Sequence, residues 1–195
     1  TLTNGTLDLN GKTLTTGTFG SSNSNIRTIA FGTGNITCSG TGIVWSTPNI
    51  TGLTTTGTQV VNVTSAGSVA ISVLSGALSE TNSISFNFTG GTYALTFLGN
   101  TNYSARNVDF TGYAGTWGAT STGFIYGNLK LSTTMTLTAT NGNMIFGATS
   151  GTKLITTNGK TMPVGFVFNG VGGGWTLQDN VNSSVSTITL TNGSL

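Results

Sequence analysis

The chain has 195 residues, of which 41 are Thr, 30 Gly, 20 Ser and 20 Asn, together more than half of the sequence, and only ten carry charge, six basic against four acidic. It has no His and one Cys, and its Lys and Arg residues are spread along the chain. This excludes His-dependent nucleophilic catalysis, an internal disulfide scaffold and a basic stripe for a nucleic-acid backbone. Ten Phe, four Tyr, three Trp and many β-branched residues argue against disorder, and the length fits one domain or one elongated module spanning residues 1–195.

In chain order, apolar and polar residues alternate at 1–9 (TLTNGTLDL), 60–64 (VVNVT), 83–89 (SISFNFT), 92–98 (TYALTFL), 135–140 (MTLTAT), 164–169 (VGFVFN) and 186–190 (STITL). Each predicts a short strand with one buried face. No window carries the helical i, i+3, i+4, i+7 pattern, so the expectation is ten to fourteen strands and no helix. Asn-Gly pairs at Asn4, Asn10, Asn141, Asn158, Asn169 and Asn192 punctuate the strands, and Thr-Asn-Gly recurs at Thr140, Thr157 and Thr191. Asn-Gly is a hairpin signal, which would favour an antiparallel β-sandwich, but it serves equally as a solenoid corner. The spacing decides between them. Short apolar-x-Phe segments end at Phe31, Phe86, Phe110, Phe146 and Phe168, and the intervals of 24 (Phe86 to Phe110) and 22 (Phe146 to Phe168) match one coil of a repeat architecture. The expected fold is all-β, a right-handed parallel β-helix, with the antiparallel sandwich as the alternative.

The two ends carry the more telling repeat. Residues 1–7 read TLTNGTL and residues 189–195 read TLTNGSL, six identities in seven at a separation of 188. The expected organisation is a single β-solenoid module of about one 188-residue repeat plus a seven-residue overlap. The opening Thr1-Leu2-Thr3 is neither an initiator Met nor a signal peptide, which suggests a processed product or a segment of something longer. The segment TLTNGTLDLNGKTLT at residues 1–15, with the TITLTNGSL ending, resembles the Thr/Gly/Asn-rich repeats of large surface proteins and phage fibre-like proteins of aquatic origin. It is also similar to the β-helix of filamentous adhesins. The resemblance implies an extracellular structural fibre, at a cell surface or on a virion, and assigns no catalytic residue.

Chemistry-bearing motifs are sparse. Ser150-Gly-Thr-Lys153 matches Ser-x-x-Lys but lacks the companion motifs. Asn10-Gly-Lys-Thr13 and Asn158-Gly-Lys-Thr161 end like a phosphate loop, yet the required first Gly falls on Thr6 and Leu154. Asp8-Leu-Asn10-Gly11 is only a fragment of a calcium loop. Glycan cleavage would need paired carboxylates. The four acids, Asp8, Glu80, Asp109 and Asp179, are far apart in sequence, with Glu80 and Asp109 the nearest two, and read as solvated loop residues, with Arg106 and Asp109 as a local ion pair. Cys38 reads as a small buried hydrophobe. Trp45, Trp117, Trp175 and the tyrosines could stack on sugars, but core packing is the favoured role. Candidate N-glycosylation sequons fall at Asn4, Asn35, Asn49, Asn62, Asn87, Asn102, Asn182 and Asn192, eight where composition alone yields about six.

The sequence therefore points to a non-enzymatic structural unit that needs no cofactor. The residues expected to carry assembly are Thr1, Leu2, Thr3, Leu7 and Leu9 at one end and Ile188, Leu190 and Leu195 at the other. The expected partners are copies of the same chain, end to end, with surface or environmental glycans as a further class. No apolar run is long enough to span a membrane, and no nucleic-acid partner is expected. Polymerisation by exchange of a terminal strand is the alternative, and a glycan-processing β-helix the third reading.

Overall fold

The computed structural model describes residues 1–73, 79–98, 102–118, 122–138, 142–185 and 187–195. Among these every regular element is a strand, and every pairing between strands is parallel. The chain climbs through about eight coils and forms the expected β-solenoid. Register partners lie one coil apart, and coil length varies: the step from Asn102 to Thr122 is among the shortest and the step from Gly42 to Val69 the longest.

Three faces run along the axis. The first carries Gly5–Asp8, Arg27–Ala30 and Leu53–Thr56, and resumes with Asn102–Ala105, Thr122–Ile125, Asn143–Phe146 and the first part of Gly165–Leu177. The second runs from Thr13–Thr16 through Asn35–Cys38, Val60–Val63, Ser85–Phe88, Val108–Asp109 and Leu129–Lys130 to Thr152–Thr156, which pairs with the second part of Gly165–Leu177. The third runs from Phe19–Gly20 through Gly42–Thr47, Val69–Val73, Ala94–Leu98 and Thr116–Gly118 to Thr136–Leu137, with Thr161–Met162 and Asn182–Ser183 at its end. Ile188–Ser194 begins one further coil against Gly165–Leu177.

The period-2 patterning is what fills the interior. Val69–Val73 alternates buried and half-buried residues, as does Arg27–Ala30, so each strand sends every second side chain inward. Successive coils place like residues in columns at about the 4.8 Å spacing of a β-ladder. Aromatic rings stack along these columns, Phe19 on Trp45 (centroids 4.7 Å apart), Phe88 on Phe110 (4.9 Å) and Phe146 on Phe168 (5.0 Å), and Phe97 of the third face stacks across the interior on Tyr103 of the first (4.7 Å). Each such pair contributes roughly 0.5–1.5 kcal/mol beyond the area it buries.

The Asn-Gly pairs act as corners. Asn10 and Gly11 have φ of 47° and 71°, and Asn158 and Gly159 have 51° and 75°, the left-handed pair a type I′ turn requires. The chain nevertheless turns onto the next face instead of folding back on itself, so the sandwich alternative falls. Asn141, Thr140 and Ser186 lie outside the described residues, as does the end of the 135–140 segment, in which Thr136–Leu137 is a strand.

Two expectations need correction. The described residues hold 23 strands, not ten to fourteen, because each coil contributes up to three and several, such as Phe19–Gly20 and Val108–Asp109, are too short to show alternation. The Phe86 to Phe110 interval does not mark a coil either. Phe86 is in register with Val108, and Phe110 stacks under Phe88, its true counterpart one coil away. The Phe146 to Phe168 interval does mark one.

Candidate functional site: the two open ends and a strap between coils

At the N-terminal end, Gly5–Asp8, Thr13–Thr16 and Phe19–Gly20 each pair with a strand on one edge only, leaving the other edge open among the described residues. A recess of about 280 Å³ opens there, lined by Leu2, Leu7, Leu14, Thr16 and Phe19 among others. The chain before Gly5 is tied down. Leu2 donates its N–H to Gly20 O (2.9 Å), Leu2 O accepts from Ser21 Oγ (3.0 Å), and Thr3 O accepts from Asn25 Nδ2 (3.0 Å). Thr1 and Thr3 are exposed, whereas Leu9 is buried and is part of the core.

At the C-terminal end, Ile188 and Leu190 are in register with Phe166 and Phe168, so they continue two inward columns. No coil of the described residues covers them, and both are 52% exposed, as is Leu195 at 53%. The structure thus gathers the expected assembly residues into two groups, one at each end of the stack. Within one copy it does not bring them together, because about eight coils at a ladder spacing of roughly 4.8 Å separate them.

The matching heptads stand at different places in their coils. In 189–195 the Thr-Leu-Thr lies on the first face beside Val167 and Phe168, and the Asn-Gly turns the corner. In 1–7 the Thr-Leu lies beside Gly20 at the end of the third face, and the Asn-Gly leads into the first. On the first face of the N-terminal coil the inward residues are Leu7, in register with Ile29, and the buried Leu9.

No protein-family model, curated protein or solved structure matches the chain.

A second constellation lies on the corner between the first two faces. The turn at residues 79–83 closes through Asn82 N–H and Ser83 N–H to Ser79 O (3.2 and 3.1 Å). From it the Glu80 carboxylate accepts from Thr149 N (2.8 Å), from Thr149 Oγ1 (2.9 Å) and from Lys153 Nζ, three coils further on. This is the ion pair found among the described residues. Burial pushes the Glu80 carboxyl up, but the hydrogen bonds from Lys153 and Thr149 and the lysine charge outweigh it and hold it below the ordinary carboxylate range. Beneath the turn, Arg106 donates through Nε to Glu80 O (2.8 Å) and through Nη2 to Thr81 O and Gln59 Oε1.

The expected Arg106–Asp109 pair is therefore overturned: Arg106 is turned under the strap, while Asp109 Oδ1 accepts from Thr111 N (2.7 Å). Nor are the four acids simply solvated. Asp8 accepts from Asn10 N (2.8 Å), and Asp179 accepts from Thr157 N (2.9 Å), Thr157 Oγ1 (3.0 Å) and Asn158 N of the coil below. All four carboxylates hold backbone N–H groups.

The second face carries a shallow groove of about 300 Å³ whose polar lining includes Asn87, Asn107, Asp109, Asn128 and Lys130. The sequons divide by environment. Asn4, Asn182 and Asn192 are exposed; Asn62 Nδ2 donates to Asn35 Oδ1 (3.2 Å) and Asn87 Nδ2 to Asn62 Oδ1 (3.1 Å), so these three form a ladder. Asn49 Oδ1 accepts from Thr51 N (3.0 Å), and Asn102 is half-buried. Trp45, Trp117 and Trp175 are all buried, in keeping with the core role favoured for them. Cys38 is buried too, and burial pushes its thiol up to about 11.

Sequence reasoning passed over Arg27 and Gln59. Arg27 is 1% exposed and donates to Ser21 Oγ (2.6 Å), Ser21 O (3.2 Å), Asn25 O (2.7 Å), Asn49 O (2.5 Å) and Thr51 O (2.7 Å), which pins the corners of two coils. Gln59 Nε2 donates to Thr55 O (2.8 Å) inside the stack. A lone Arg within the polar run SSNSNIRT carries no local pattern that would mark it as buried.

Proposed function

We propose that the chain is a structural unit of an extracellular fibre, filament or adhesin, non-enzymatic, whose solenoid is continued end to end by copies of itself. The observation that carries this reading is the pair of open ends. Among the described residues each presents unpaired parallel strand edges together with inward columns of Leu and Ile without a cover. Such edges template further pairing, and burying the exposed apolar rows is favourable at about 25 cal/mol per Å². The two ends are different surfaces and meet along the solenoid axis, so the contact is head to tail and propagates, which is the geometry of a filament. The Thr, Ser and Asn surface suits an extracellular coat, and the polar groove on the second face is the surface we assign to glycan contact.

Electron microscopy of negatively stained protein tests this. The expected result is long, uniform fibres with an axial repeat of about 40 Å, set by eight to nine layers at the ladder spacing. Dispersed compact particles at every concentration would overturn it.

A second reading is favoured by one observation: every residue of Ile188–Ser194 is exposed, although the strand is paired along one edge. In this reading the filament forms by exchange of a terminal strand, the free strand completing a neighbour's sheet. Deleting residues 1–9 tests this reading. Strand exchange predicts a folded remainder that no longer polymerises, and unchanged assembly counts against it.

A further inference from the structure

We infer that copies join in the phase of the coil and not in the phase of their shared heptad, so that Leu190 of one copy stacks on Leu9 of the next, Ile188 on Leu7, and Thr189 lies beside Asp8. This rests on the end-to-end reading above and specifies its contact. The two phases differ by seven positions: the heptads repeat at 188, whereas Leu9 and Leu190 are 181 apart.

Three features of the ends fix the phase. On the first face, Leu190 follows Phe168, Phe146, Ile125 and Ala105 in an inward column, and Ile188 follows Phe166, Met144, Gly123 and Tyr103. The N-terminal coil begins the equivalent position with Leu7, in register with Ile29, and with Leu9, whose N–H bonds to Ala30 O at 2.9 Å just before the Asn10-Gly11 corner. Stacking in this phase sets Leu over Leu and keeps Thr189 and Asp8, both exposed, on the outside. A shift by an odd number of residues would reverse inward and outward positions along the whole joint.

The incomplete layers at the two ends are also complementary. Ile188–Ser194 covers the first face and, through Ser194 beside Gly174, the start of the second. Residues 1–4 cover the end of the third face, where Leu2 bonds to Gly20. When two copies stack, these pieces occupy one layer without overlapping. The heptads then meet in that layer as neighbours on different faces, each building the part the other leaves open.

Cysteine cross-linking of assembled protein tests the phase. Cys38 can remain, because it is buried. The double variant Asp8→Cys/Thr189→Cys should, on oxidation, give a ladder of covalent multimers on a non-reducing gel. A mixture of the Asp8→Cys and Thr189→Cys single variants should give dimers and nothing larger. If fibres form but these pairs fail to link while Gly20→Cys/Thr189→Cys does, the joint follows the heptad phase and the inference is overturned, with the fibre reading intact. If neither the unmodified chain nor the variants assemble, the fibre reading fails and the inference falls with it.

Discussion

The Glu80 carboxylate accepts both the backbone N–H and the hydroxyl of Thr149, at 2.8 and 2.9 Å, although the two residues are 69 positions apart. In a stack whose other bonds mostly join adjacent coils, this side chain reaches from the fourth coil to the seventh and meets Lys153 there. Glu80→Gln keeps the shape and loses the charge. The expected cost is about 1–2 kcal/mol, since hydrogen bonds to a charged group contribute roughly 1.5–3 kcal/mol and the amide retains one acceptor. Urea titration of the two proteins measures it.

The same pair sets a pH dependence. The folded protein holds the Glu80 carboxyl below its ordinary value, so its contribution is present above the unfolded-state value of about 4.3 and fades as pH falls through the lower folded-state value. The stability difference between wild type and Glu80→Gln should be constant from pH 7 to about 5 and shrink below about pH 4. A difference that grows on acidification would contradict the assignment.

Tyr93 and Tyr113 are packed against each other, with ring centroids 5.1 Å apart, and they differ in what their hydroxyls meet. The Tyr113 hydroxyl shares its proton between the carbonyls of Tyr93 (2.7 Å) and Thr116 (2.9 Å), whereas the buried Tyr93 hydroxyl has no partner among the described residues. Removing an unsatisfied buried hydroxyl relieves a desolvation cost, and removing a bonded one orphans its acceptors. Tyr93→Phe should leave the melting temperature unchanged or raise it, by up to about 1 kcal/mol of stability, and Tyr113→Phe should cost about 1–2 kcal/mol. Calorimetry of the two variants should rank them in that order.

Arg27 places a guanidinium among neutral oxygens from two segments of chain, 21–25 and 49–51. Arg27→Met leaves the carbonyls of Asn49 and Thr51 without this donor, and the expected loss is about 3 kcal/mol or more. Arg27→Lys keeps the charge but cannot reproduce the planar fork, so it should fall between wild type and Arg27→Met. Denaturant midpoints of the three proteins test that order.

Gly57 sits at φ +87°, and a Cβ there would collide with the backbone N and O of Gly32. Gly57→Ala therefore forces adjacent corners apart as well as straining the backbone, and should cost more than about 3 kcal/mol or abolish soluble expression. Gly20→Ala, which meets nothing within 4 Å, is the matched control and should express normally.

The class of fold was legible because a solenoid repeats its local rules. The alternation at 60–64 and 83–89 and the Phe146 to Phe168 interval each report a coil directly. The coil length was not legible elsewhere, because corners vary: five positions separate Leu9 from Leu14 across one corner, and three separate Ala105 from Val108 across another. That variation slid Phe110 from the apparent partner Phe86 to its true neighbour Phe88. The end residues could be named from sequence since Leu7, Ile188 and Leu190 alternate with polar neighbours. Their phase could not, because identical letters at both ends conceal different positions in the coil. Glu80 was illegible for another reason: its partners are fixed by three coils of stacking, and no interval in the sequence encodes them.

The ladder hydrogen bonds lie along the solenoid axis, so a load applied along that axis opens them one layer at a time. The turn at residues 79–83 interrupts this sequence. Through Gln59, Arg106, Thr149 and Lys153 it fastens the third, fourth, fifth and seventh coils to one another. Under tension those layers yield together, and the middle of the module acts as a rivet in a structure that would otherwise unwind like thread from a spool.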